Sequence, residues 1–454
     1  MNKDLTVGNE RSVIIRFTLP LLGSMLFQQL YNIADSFVAG KFISSSALAA
    51  VGNSYEITLI FLAFATGLNM GASVIISQYY GAKRLDAVKS AITTTFIFTL
   101  IIVALLTIFG VIFTRPLLLL INTPEETFGS SALYLDIYIY GLVFMFLYNI
   151  ATGVFTAMGD SKTPFIFLAF SSTANIAVDV LFVKAFDMGV AGVAWATFLC
   201  QGVSALLSLI ALTHRLKGIT SGIKAPIFSL SILKKIVAIA VPSILQQSFI
   251  SVGNIIVQSI INSFGAIVMA GYAAAIKLNN LVITSLTTIG NGVSSFTAQN
   301  LGAEKVDRVV KGRRGALLMA EIFALAAACI YIFAGRTAMR FFVNSADLKV
   351  IDVGLSFFRV VTPFYIVVTL KIITDGVLRG SGAMKAFMIA TFSDLILRAS
   401  LSYVFSRFLP LIIPGFDGVI GIWLSWPVGW SIGTVLSLIF YQKGVWRRAF
   451  IKEA

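Results

Sequence analysis

The chain has 454 residues, of which 58% are hydrophobic and only 12% charged, with a formal net charge of +14. A soluble domain carries about 25% charge, so this composition excludes a soluble protein with a single anchor and predicts a polytopic membrane protein. A lone histidine, two cysteines inside apolar runs (Cys200 and Cys329) and the lack of a Gly-x-x-x-x-Gly-Lys-Ser/Thr loop argue against a catalytic triad, a structural metal, a disulfide framework and built-in ATP hydrolysis.

Runs of about 20 apolar residues can cross a bilayer as helices, and they recur along the whole chain. The first, 13–39, follows the polar stretch MNKDLTVGNERS and is too long for a signal-peptide core, so it reads as an uncleaved span; it contains Pro20 and Asp35. Spans follow at 54–79, 90–114 and 131–157, then at 163–186 with Asn175 and Asp179, and at 190–213 with Thr197. A polar connector, 214–231, contains glycine and proline and reads as a loop. Beyond it come 233–262 with Pro242, 267–299, 315–335, 351–378 with Pro363, Lys371 and Asp375, 384–408 with Asp394 and Arg398, and 417–441. The expected fold is all-α, with twelve transmembrane helices.

Charge sets the orientation. With the N-terminus inside, most lysines and arginines fall in inner segments, among them Lys83, Arg84 and Lys89, Arg215 and Lys217, and Lys305, Arg308, Lys311, Arg313 and Arg314. The positive-inside rule then places both termini in the cytoplasm of a cell (inner or plasma) membrane. The same bias explains the net charge through anionic lipid, and basic residues scattered over many loops do not suit a nucleic acid.

The second half repeats the first at an offset of about 222. Leu19-Pro20 matches Val241-Pro242, Asn32-Ile33 matches Asn254-Ile255, and Gly71, Gln78, Gly81 and Ala82 match Gly292, Gln299, Gly302 and Ala303. Gly189, Val190 and Gly192 match Gly418, Val419 and Gly421. Six helices per half is an even number, so both halves insert the same way up. This predicts a bundle over 1–213, an inter-bundle cytoplasmic loop over 214–231 and a second bundle over 232–454, related by a pseudo-two-fold axis along the membrane normal.

Asp35 and Asp179 are the most informative positions. A carboxylate inside a span costs about 2.5–3.5 kcal/mol on insertion scales and is kept mainly where it binds an ion or proton or faces a wet cavity. Asp35 follows Arg16 by 19 residues and Asp179 follows Thr163 by 16, both on outgoing helices. At 1.5 Å per residue both reach roughly 24–28 Å from the inner edge, at one level in the outer part of the span. Tyr31 and Asn175 each stand four residues earlier and share a face with the acid, while Thr197 lies about 10 Å into the incoming sixth helix. Oxygen ligands of this kind suit a hard cation or a proton network, and paired carboxylates in low dielectric push one of the two toward titration near neutral pH. The alternative is that each acid caps a helix break or bonds a neighbouring hydroxyl.

The repeat counterparts of Asp35, Asn175 and Asp179 are about Val257, Arg398 and Ser402, so the acid site is not duplicated. The second half instead has Lys371 with Asp375 and Asp394 with Arg398, both pairs at i,i+4. These pairs neutralise each other, or they line or gate the substrate cavity. Pro20, Pro242 and Pro363 interrupt their helices, as bends that open one face of a cavity and close the other or as static kinks.

The Leu19-Pro20 step, the close of the second helix (Gln78, Gly81, Ala82, Lys83), the turn from Gly159 to Pro164 and the six-plus-six layout together resemble the multidrug and toxic compound extrusion (MATE) family over nearly the whole chain. The resemblance is to the DinF-like branch, within the MOP flippase superfamily. It implies a secondary active multidrug exporter, not an enzyme. Such a protein exchanges H+ or Na+ for amphipathic, mostly cationic organic compounds by alternating access. It implies no cofactor beyond the coupling ion, drug-like or metabolite substrates, a surrounding lipid membrane and a monomer. Tyr31, Asp35, Asn175, Asp179 and Thr197 fit that branch's cation-coupling residues one by one, with a transient Na+ at Asp35 and Asp179 as one form of the coupling, and Gln28 and Asn149 would line the same cavity. The NorM branch has a glutamate in the seventh helix, and PSILQQSFI (242–250) has none, so a single coupling site in the first half is expected. The superfamily also contains flippases, so export of a lipid-linked or metabolite substrate is the alternative. A channel or scaffold fits a one-sided acid site poorly.

Overall fold

The computed structural model describes residues 4–38, 42–218, 225–343, 347–448 and 451, with the side chains of 31–37, 45, 46, 48 and 56 outside the description. No strand occurs among these residues. Fifteen α-helices run in order: α1 Glu10–Val38, α2 Ser45–Gly81, α3 Leu85–Leu120, α4 Glu125–Tyr140, α5 Leu142–Ala157, α6 Lys162–Lys184, α7 Gly189–Lys217, α8 Leu230–Asn262, α9 Ala266–Gly302, α10 Val306–Phe333, α11 Gly335–Met339, α12 Leu348–Val361, α13 Tyr365–Ser381, α14 Met384–Ile412 and α15 Gly418–Gln442.

Among the described residues, eleven helical spans are long and apolar enough to cross a membrane, or twelve when the bent pair α4–α5 is taken as one. The chain is thus a multi-pass membrane protein, as its composition requires. Most helices overrun the apolar runs because polar ends are stable beyond the hydrocarbon. Two spans are broken, the fourth with no sign of it in the sequence and the tenth at Pro363, as expected. The fourth breaks at Gly141 with a bend of 49° between α4 and α5. There Phe198 of α7 packs so close that a Cβ on Gly141 would lie 3.1 Å from its ring. The tenth breaks into α12 and α13 around a 3-10 turn, Thr362–Phe364, containing Pro363. Pro20 and Pro242, by contrast, lie inside helices that continue through them.

The helices form two compact units. One comprises residues 1–4 and 19–244, the other 5–18 and 245–454. The halves of the sequence therefore exchange leading segments: α1 changes unit beside Pro20, and α8 changes unit just after Pro242. In the second unit the chain before α1 is tied down through its backbone. Gln299 Oε1 accepts from the Leu5 N–H at 3.1 Å, and Lys305 Nζ and Arg308 Nη1 donate to the carbonyls of Thr6 and Gly8 at 2.9 and 2.8 Å. In the same unit α9 and α13 touch backbone to backbone. Gly376 and Gly380, one turn apart, face the carbonyls of Gly290 and Ser294, the small-residue spacing that lets membrane helices approach closely.

Candidate functional site

In the first unit, α6 and α7 place Asn175, Asp179 and Thr197 in the interior, with exposures of 1%, 0% and 3%. Tyr31 and Asp35 are helical positions of α1 whose side chains lie outside the described residues. Their register is nonetheless informative. Val38 of α1, Val183 of α6 and Val193 of α7 belong to one buried apolar cluster, with Val51, Tyr134 and Ile137 from α2 and α4. Asp35 precedes Val38 by three residues, Asp179 precedes Val183 by four, and Thr197 follows Val193 by four. All three polar positions thus stand about one helical turn, 5.4 Å, to the same side of the cluster. Lys184 lies 4.1 Å over the Phe42 ring, just past the end of α1. Apolar packing thus closes this polar level on one side. Gln28 is exposed, and Asn149 is half-buried with its amide donating to the Met145 carbonyl of its own helix at 2.9 Å.

Between α5 and α6, Asp160 forms a junction that sequence reading missed. Its carboxylate accepts from the backbone N–H groups of Lys162 and Thr163 and from the Thr163 hydroxyl, capping the start of α6. It is also paired with Arg215 at the end of α7. Burial pushes the Asp160 carboxyl up, but the bonds from Thr163 and Arg215 outweigh it and hold it below the usual carboxylate range.

The second unit collects the other predicted residues. Lys371 Nζ lies 2.7 Å from Asp375 Oδ2, and Asp375 Oδ1 accepts from the Ser437 hydroxyl at 2.5 Å. The Lys371 ammonium also lies 3.7 Å from Asp394, linking α13 to α14. The second i,i+4 pair does not form. Arg398 donates to Asn254 Oδ1 of α8 at 3.3 Å and lies over the Trp426 ring at 4.3 Å. Asp394 is thus paired with Lys371 across helices, and Arg398, whose hydrogen-bond and ring partners are neutral, acts on Asp394 only at longer range. Nearer the inner end, Arg379 donates to Asn291 at 2.6 Å and Arg313 to Thr374 at 2.9 Å. Trp426 and Ser437 gave no signal in sequence, and Asn254 stood out only as the repeat match of Asn32, because each meets its charge from a distant helix. Among the described residues no group of three His, Cys, Asp or Glu side chains is arranged to hold a metal.

Comparison with known proteins agrees with this architecture. The MatE family model matches residues 20–181 and 242–404, so it matches twice, starting at Pro20 and at Pro242. The chain is 29% identical to the probable multidrug resistance protein YpnP of Bacillus subtilis over 98% of this chain and 97% of that one. It is 23% identical to an FAD transporter of Shewanella oneidensis, over 77% of this chain and 78% of that one. A solved MOP superfamily transporter from Pyrococcus furiosus superposes with a TM-score of 0.89 at 21% identity, over 98% of both chains. Duplicated, all-helical and matched by the same family in both halves, the chain belongs to the MatE family of membrane transporters.

Proposed function

We propose that this protein exports amphipathic organic compounds, mostly cationic, in exchange for H+ or Na+, working as a monomer by alternating access. Asp35 and Asp179 carry the coupling ion, with Tyr31, Asn175 and Thr197 as neighbouring oxygen and amide groups. The supporting observation is the buried Asn175, Asp179 and Thr197 beneath an apolar cluster that also holds α1 one turn beyond Asp35. An ionised carboxylate that deep is stable only with a cation or proton in company. In this reading the protein sits in the cell membrane with both termini cytoplasmic, as its charge distribution favours.

The test is a reconstituted protein loaded with a cationic dye under a pH gradient or a Na+ gradient, with Asp35→Asn and Asp179→Asn alongside. The reading expects one gradient to drive efflux and each substitution to abolish the coupling. Normal transport by both variants would sink the site assignment, and efflux under neither gradient would sink the antiporter. The second reading, export of a metabolite or lipid-linked substrate, is favoured by the similarity to a protein named an FAD transporter. It predicts that cationic dyes are not moved.

A further inference from the structure

The repeat sets a base in one half against an acid in the other, one helical turn apart. Where α6 has Asn175 and Asp179, α14 has Arg398 and Ser402. Arg398 is 7% exposed and stands 14 residues from each end of α14, so it lies at the middle of the span. A guanidinium there is costly unless an anion accompanies it. The nearest carboxylate in sequence, Asp394, is held by Lys371, which also holds Asp375. Three cations of this unit, Lys371, Arg379 and Arg398, are buried against two buried carboxylates, Asp375 and Asp394. One buried positive charge is thus in excess, with Asp394 shared between Lys371 and Arg398.

The surroundings of Arg398 are built to present it. The indole of Trp426 supports one face of the guanidinium at 4.3 Å. Stacking of this kind leaves the N–H edges free for a planar partner. Of those edges, Nη2 reaches the Asn254 amide, and the buried Nε has no hydrogen-bond partner among the described residues. Asn254 is itself exposed on α8, so the pair opens to the outside of the unit. Gly429 makes the room: a Cβ there would lie 2.8 Å from Asp394 Oδ1 and 3.3 Å from Arg398 Cβ.

We propose that Arg398, with Asn254 beside it, is a binding subsite for an oxyanion group, a carboxylate or phosphate, on the exported amphiphile. A guanidinium edge matches two oxygens of such a group, and the buried setting strengthens the contact. Lipid phosphates lie at the edges of the bilayer, about 15 Å from the level of Arg398, so the oxyanion arrives on a compound that enters the protein. The subsite rests on the exporter reading and sharpens it. The acids of the first unit serve the coupling ion, and among the cationic amphiphiles those that also carry an oxyanion group are preferred.

Two dyes that differ at one group test this: rhodamine 110, with a free carboxylate, and rhodamine 123, its methyl ester. Binding to purified protein in detergent is read by fluorescence polarisation. The wild type is expected to bind the free acid about tenfold more tightly than the ester, the size of one charge-assisted hydrogen bond. Arg398→Gln is expected to erase that preference without weakening the ester, and Arg398→Lys to keep part of it. Equal binding of the two dyes, no binding of the free acid, or equal weakening of both by Arg398→Gln overturns the subsite. If Arg398→Gln does not elute as folded protein, Asn254→Leu at the exposed neighbour carries the comparison, and an unchanged preference overturns the proposal. Acid-over-ester binding that persists while neither dye leaves proteoliposomes under either gradient would refute the exporter and leave the subsite standing.

Discussion

Lys371 meets Asp375 at 2.7 Å, and the same ammonium reaches Asp394 at 3.7 Å. One cation therefore serves two buried carboxylates on different helices. Removing it with Lys371→Met takes the ion-pair partner from both, leaving Asp375 the Ser437 hydroxyl and Asp394 the more distant Arg398. The loss should be about 3–5 kcal/mol, the usual cost of breaking a buried pair from one side. Thermal melting of the purified variant checks this. Lys371→Met combined with Asp375→Asn should recover part of the loss.

The Asp160–Arg215 pair carries a pH dependence of definite sign. The folded carboxyl lies below its ordinary value of 3.8. Its stabilisation is thus fully present above that value and is lost as pH falls through the lowered one. Arg215→Gln should cost about 1–2 kcal/mol at pH 7. The gap between variant and wild type should narrow as melting is repeated down to pH 3. A gap that stays constant would mean the pair is not the source.

The apolar cluster one turn from Asp179 should act as a seal. Val183→Ser puts a hydroxyl into that cluster and invites water from the outer side. Proteoliposomes carrying this variant should dissipate an imposed pH gradient several-fold faster than wild type in the absence of substrate. Equal decay would show that the closure lies elsewhere.

Close helix contact makes Gly376 and Gly380 intolerant. A methyl at these positions would sit 2.5 Å from the Gly290 carbonyl oxygen and 2.3 Å from that of Ser294. Gly380→Ala should therefore lower stability by about 1–3 kcal/mol, the cost of overpacking. Gly129→Ala, which meets nothing within 4 Å, serves as the control and should melt like wild type.

Features that repeat along the chain or lie within one helix were open to sequence reading. The spans and the duplication rest on apolar run length and on matched residues such as Pro20 and Pro242. The Lys371–Asp375 pair rests on helical spacing. The Asp394–Arg398 pair had the same spacing and did not form, because Lys371 and Asn254 arrive from other helices. The bend at Gly141 was hidden because the apolar run passes through it unchanged, and only the pressure of Phe198 from α7 reveals it. The Asp160–Arg215 pair joins residues 55 positions apart, and no local pattern marks it.

The exchange of leading segments at Pro20 and Pro242 has a consequence for biosynthesis. Leu5 leaves the ribosome well before the side chain that holds its N–H, Gln299, which is made 294 positions later. The first unit likewise lacks part of its packing until residue 244 has been added. Neither unit can finish folding while only its own half of the chain has been translated, so the start of α1 must be inserted and kept waiting without its native neighbours.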